Sequence, residues 1–92
     1  MTQKETKKVP VKEFEDDAAE ENFLILHNDD IHTFDYVIEA LIDICKHEYE
    51  QATQCTMLVH YKGKCDVKKG GFALLKPMKD ALTERKLNAT ID

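Results

Sequence analysis

The hydrophobic pattern changes period just after Leu26. Phe23 to Leu26 is an unbroken apolar run, FLIL, of strand rather than helix length, and it ends at the polar residues HNDD. If that strand stays extended, Leu24, Leu26 and Asn28 share one face, because successive side chains alternate. From about Thr33 to Lys46 the pattern becomes helical. Phe34, Val37, Leu41 and Ile44 form a stripe that Ile38 and Cys45 widen. Thr33 is placed to cap this helix, and Asp35 to face the positive end of its dipole. The segment CKHEYE interrupts the stripe. A second helix is predicted from about Tyr49 to Lys62, with Ala52, Cys55, Thr56 and Val59 on one face, Leu58 and Tyr61 bordering it, and Gly63 as the C′ residue.

KCDVKKGG then reads as a short strand, Cys65 and Val67 inward, leading into a glycine turn. Leu74, Leu75, Met78, Ala81 and Leu82 predict a third helix, in which Pro77 is tolerable only in the first turn. LNATI closes the pattern by alternation, with Leu87, Ala89 and Ile91 on one face. The predicted order β-α-α-β-α-β implies an α+β fold: three helices packed on one face of a three-stranded antiparallel sheet.

Residues 1–22 carry four lysines and seven acids with few large apolar side chains. Such a segment buries too little surface to offset its ordering entropy, so a flexible tail is expected there and a folded core in residues 23–92. No apolar run approaches the length of a membrane span, and MTQKETKKVP lacks the apolar stretch of a signal peptide, so a cytoplasmic protein without membrane contact is expected. A net charge of −5, with Arg85 the only arginine, argues against nucleic acid as the main partner. The three cysteines are ten residues apart and form no CxxC pair, so reduced, partly buried thiols are expected. The chain has no serine, which excludes every serine-based triad. Its three glycines cannot build a phosphate-cradling loop.

Candidate chemistry concentrates at the end of the first strand. Asn28 offers a carbonyl acceptor, Asp29 a carboxylate, and His60, near the end of the second helix, a ring nitrogen. Three converging acceptors suit a charged ligand with three donors, which describes an ammonium group. Spacing does not bring them together by itself, and the same residues also read as caps of a turn and of a helix C-terminus. His27, Asp29, Asp30 and His32 form a local cluster of metal-ligand types, without the HExxH or paired CxxC spacing of a zinc site. Asp29 could orient His60 as a catalytic pair, but Cys55 lies five residues before His60 and aligns poorly with it on a helix. The lysines of YKGKCDVKK read as a solvated edge that discourages strand pairing between molecules.

Two of these stretches, NDDIHTFDYVIEALIDI and ATQCTMLVHYKGK, resemble the ClpS family of adaptors for Hsp100-type proteolytic machines. The shared pattern is an N-D-D turn, a V-I-x-x-L helix, and then A-T…V-H-x-x-G-K, matched without a gap from Asn28 to Lys64. The resemblance implies a recognition module rather than an enzyme, with no cofactor and no metal. It implies binding of proteins whose N-terminal residue is Leu, Phe, Tyr or Trp, and their delivery to a ClpA- or ClpC-type unfoldase working with ClpP. Asn28, Asp29 and His60 would then hold the α-amino group. An apolar pocket lined by Leu26, Val37, Val59 and Leu87, with His32, Phe34 and Thr56 also in place, would take the first side chain. The tail would engage the unfoldase. The alternative is an Hsp100-docking modulator of substrate choice that does not read N-termini.

The departures from the family pattern are specific. His32, Thr33 and Phe34 stand where Thr-Pro-Met is common, which moves the helix cap to Thr33. Thr56 occupies a position where many members carry a methionine that gates the pocket against β-branched residues, so an altered residue preference is expected. Met57 cannot replace it, being about 100° further round the helix. The segment from Lys64 to Leu87 is shorter than in the commonest members, so no docking residues can be carried over.

Overall fold

A computed structural model describes residues 21–92. The predicted tail lies outside the described residues apart from Glu21 and Asn22, and Asn22 opens the first strand. The elements are β1 (Asn22–His27), α1 (Phe34–Cys45), α2 (Tyr49–Lys62), β2 (Lys64–Gly70), α3 (Phe72–Glu84) and β3 (Asn88–Ile91), in the order predicted from the pattern. The sheet order is β2-β1-β3, with β1 antiparallel to both neighbours. No helix among the described residues is long and apolar enough to cross a membrane.

One apolar cluster joins all six elements. Leu24 and Leu26 of β1, Leu41 of α1, and Leu75 and Leu82 of α3 are fully buried, with Ala52 and Val59 of α2, Val67 of β2 and Ala89 of β3 packed among them. Burying a leucine of this kind stabilises the fold by about 1.5–3 kcal/mol. Ile25 is also buried but lies outside that cluster, as the alternation of β1 requires. In α1 the buried stripe is Val37, Ile38, Ala40, Leu41 and Cys45. Phe34 and Ile44 lie at its margins, Phe34 being 39% exposed. In α2 the inner face is the predicted one, Ala52, Cys55, Thr56 and Val59, whereas Tyr61 is 73% exposed and so does not border the core.

Two expectations about α3 are corrected. The helix begins at Phe72, so Pro77 lies in its second turn rather than its first. Proline deprives the Ala73 carbonyl of its helical donor, and this is tolerable because Ala73 is exposed and water can serve instead. The glycine turn is also tighter than expected: Gly70 ends β2 and Gly71 caps α3, its carbonyl accepting from the N–H groups of Leu74 and Leu75 at 3.1 Å each. A Cβ at Gly70 would sit 2.7 Å from Cδ2 of Leu74, so a side chain there would push the exposed end of Leu74 aside.

The β1–β2 ladder carries a bulge that the alternation does not announce. Leu24 pairs with Lys68 and Ile25 with Asp66, leaving Val67 as the extra residue. Its carbonyl, released from the ladder, accepts a 2.6 Å hydrogen bond from Nε2–H of His47, a 95% buried side chain in the α1–α2 connection. The connection is shaped for this by Lys46, whose positive φ of 62° lets the N–H of His47 reach back to the Leu41 carbonyl. His47 therefore bolts the helical layer to the irregular point of the sheet. Replacing it with alanine leaves a buried carbonyl unpaired, a loss of about 1–3 kcal/mol. Urea denaturation of His47→Ala should show a midpoint lowered accordingly, and an unchanged midpoint would contradict this role.

Candidate functional site

The polar junction after β1 is held against the end of α2 by a backbone contact. Helix α2 stops at Gly63, whose φ of 94° reverses the chain while its N–H still bonds the Val59 carbonyl. The Gly63 carbonyl in turn accepts a 2.9 Å hydrogen bond from the N–H of Asn28. Residues 35 positions apart in the sequence are thereby joined, and the last turn of α2, which carries His60, faces the start of the N-D-D turn. His60, Asn28 and Asp29 all line one pocket.

That pocket is small and partly open, with a cavity volume of about 40 Å³. Its floor is apolar: Leu26 from β1, Val37 from α1, Val59 from α2 and Leu87 just before β3, all buried. Thr56 is buried in its wall, with its hydroxyl donating to the Ala52 carbonyl at 2.8 Å, which leaves only its methyl group for the cavity. Phe34 and His32 complete the rim, together with Thr33. All ten site positions singled out from the sequence line this one pocket.

The three acceptors differ in how they are held. His60 is exposed at the mouth, with its ring edge-on to Phe34 at 5.3 Å and to Tyr61 at 4.9 Å between centroids. Those contacts orient the imidazole without engaging its nitrogens in a hydrogen bond to the described residues. Asp29 is fixed by its own turn: Oδ1 accepts from the N–H of Ile31 at 2.9 Å and from the N–H of His32 at 3.1 Å. The Nδ1 of His32 lies 3.1 Å from Oδ1 and 3.0 Å from Oδ2, so this nitrogen carries the hydrogen. Burial would raise the Asp29 pKa, but the Ile31 N–H, the His32 side chain and N–H, and the nearby His32 charge outweigh it and hold the carboxyl below its ordinary value. The turn's stabilisation is therefore complete above the ordinary carboxylate pKa and is lost only as the pH falls through the lowered one.

The metal reading finds no support in this arrangement. His27 points to the other face of the sheet, where Nε2 meets Oγ1 of Thr90 at 2.8 Å. Among the described residues no three His, Cys, Asp or Glu side chains converge. Cys45 and Cys65 offer no thiolate either. Burial, offset in part by Lys68 and reinforced by Cys55, pushes Cys45 up to about 11; burial and the neighbouring Cys55 thiol push Cys65 up to about 12.

Pattern reading missed Tyr36 and the part Gly63 plays here. Thr33 does cap α1, its Oγ1 accepting from the N–H of Tyr36 at 3.2 Å. The Tyr36 ring stacks on His32 at 4.7 Å, and its hydroxyl donates to the Arg85 carbonyl at 2.8 Å. That bond pins the end of α3 just before Leu87 enters the pocket. The i, i+4 spacing of His32 and Tyr36 was the available signal.

A family model described as ATP-dependent Clp protease adaptor protein ClpS matches residues 17–90. The chain belongs to the ClpS family. A ClpS adapter from Edwardsiella ictaluri is 46% identical over 41 residues, covering 45% of this chain and 39% of that protein. One from Campylobacter jejuni is 38% identical over 58 residues, covering 61% and 60%. The chain thus spans less than two thirds of the length of these curated ClpS relatives. In fold it is similar to Agrobacterium tumefaciens ClpS2, solved with L-phenylalaninamide bound, at a TM-score of 0.73 and 19% identity over 78% of this chain and 94% of that one.

Gly63 is the position to test. A Cβ there meets nothing within 4 Å, so Gly63→Ala adds no clash, only the cost of left-handed backbone, about 1–2 kcal/mol. Chemical denaturation should show a loss of that size. A neutral substitution would mean that the chain reversal does not depend on this dihedral angle.

Proposed function

We propose that this ClpS-family protein is an adaptor for an ATP-dependent Clp protease that reads the N-termini of its substrates. It holds the free α-amino group on Asn28, Asp29 and His60 and takes a bulky hydrophobic first side chain (Leu, Phe, Tyr or Trp) into the pocket over Leu26, Val37, Val59 and Leu87. It carries out no chemistry itself and delivers the bound protein, in the cytoplasm, to a ClpA- or ClpC-type unfoldase coupled to ClpP. The observation that carries this reading is the meeting of three hydrogen-bond acceptors with an apolar cavity in one pocket. The phenylalaninamide bound by the fold neighbour ClpS2 has the two features such a pocket suits, a free amine beside an apolar ring.

The energetics give a double requirement. An α-ammonium has three N–H donors, and each buried donor left without an acceptor costs about 1–3 kcal/mol, so an acetylated or internal residue is rejected. Full burial of a Leu or Phe side chain adds about 1.5–3 kcal/mol. Neither contribution selects alone. With only a methyl group of Thr56 facing the cavity, β-branched Ile and Val should be excluded less strongly than a gating methionine would exclude them.

One observation favours a second reading, a docking modulator that does not read N-termini: both Asp29 oxygens already face His32. Fluorescence anisotropy with peptides beginning Leu, Phe, Ile or Ala, free and N-acetylated, separates the two. The N-terminal reading predicts binding of free Leu and Phe peptides, loss on acetylation, measurable Ile binding, and a loss of about tenfold or more in each of Asn28→Ala, Asp29→Ala and His60→Ala. Clp-dependent degradation stimulated equally by wild type and all three variants, without peptide binding, would establish the modulator instead.

A further inference from the structure

We infer that His32 is a fourth functional residue of this pocket: a positioning residue that fixes the Asp29 carboxylate while neutral and, once protonated, competes with the ligand's ammonium for it. The inference rests on the reading that Asp29 receives an α-ammonium, and it adds a residue that this reading does not use.

A carboxylate only accepts, so the His32 nitrogen 3.0 Å from Oδ2 and 3.1 Å from Oδ1 must be the N–H donor. A neutral imidazole has one such hydrogen, and here it is committed to Asp29. The pair keeps a net charge of −1, and Asp29 keeps acceptor capacity on Oδ2, where His32 is its one donor among the described residues. The bond therefore holds the carboxylate in place without cancelling its charge.

Protonation changes the charge and not the geometry. The pair becomes neutral, and an arriving ammonium meets a cation already bonded to the carboxylate it needs. His32 cannot easily swing away, because its side chain is only 14% exposed, its ring lies flat on Tyr36, and its own N–H binds Oδ1 of Asp29. The groups facing it are few. Asp29 comes from its own turn and is its one ion-pair partner among the described residues; Tyr36 comes from α1; His60 lies across the same pocket on α2. From the end of α3, Arg85 approaches through its carbonyl, which the Tyr36 hydroxyl binds, while its guanidinium turns to Asp43. Among the described residues no second carboxylate pairs with His32.

A merely structural His32, a brace for the turn, makes a different prediction. Asparagine at this position keeps an N–H donor close to where Nδ1 lies and does not titrate. The test is the affinity of wild type and His32→Asn for a free Phe-initiated peptide between pH 8 and pH 5.5. Between pH 8 and pH 5.5 wild type should lose severalfold more affinity than His32→Asn, each measured against its own value at pH 8. In parallel, the imidazole NMR titration of His32 should move to lower pH when phenylalaninamide saturates the protein, because the ligand and the proton oppose one another. Parallel pH profiles in the two proteins, or a His32 titration that ignores the ligand, would overturn the inference and leave N-terminal recognition standing. No peptide binding by wild type at any pH would overturn both.

Discussion

The site exists because one backbone hydrogen bond closes a loop of 35 residues. The N–H of Asn28 donates to the carbonyl of Gly63, and Gly63 can present that carbonyl only because it has turned left-handed at the end of α2. Everything polar in the pocket is organised from that contact. It sets the N-D-D turn beside the last turn of α2, so that an amide, a carboxylate and an imidazole from distant parts of the chain face one cavity. Its cost is conformational and falls on a residue without a Cβ, where it is least. The apolar floor follows from the core beneath: Leu26, Val37 and Val59 belong to the same cluster that binds helices to sheet, so the ligand pocket is an open end of the hydrophobic core.

Much of this architecture was legible in the chain. Periodicity located all six elements, because each buries one face and its pattern therefore repeats at its own period. The misses have a common cause. The bulge at Val67, the early start of α3 before Pro77 and the burial of His47 depend on partners far along the chain. A lone histidine in CKHEYE looks like any solvated loop residue until the carbonyl it serves is known. The exposure of Tyr61 is a similar case: helical phase placed it near the border of the inner face, and only the packing of α2 decides which side of the border it takes.

For the site, the kinds of residues were legible and their alliances were not. Asn28, Asp29 and His60 were candidates by chemistry, and the family motif supplied a reason to group them. No spacing rule joins positions 28 and 60; Gly63 does. The Asp29–His32 pair is the reverse case, since both residues stand in one short stretch but read equally well as metal ligands or turn caps. Folding separates His27 from that group by sending it to the opposite face, and it commits His32 to Asp29. The departure from the common family pattern at position 32 is thus tied directly to the carboxylate proposed to hold the amine.

The central claim is that a single pocket reads a free amine and an apolar side chain together. The most direct measurement is a map of amide and imidazole NMR shifts as L-phenylalaninamide or its N-acetyl derivative is added to the full chain. The account predicts perturbations centred on Asn28, Asp29, Val59, His60 and Leu87 with the free amine, and none with the acetylated compound. Equal responses to the two compounds, or perturbations confined to the outer face of α2 around Met57 and Tyr61, would contradict it.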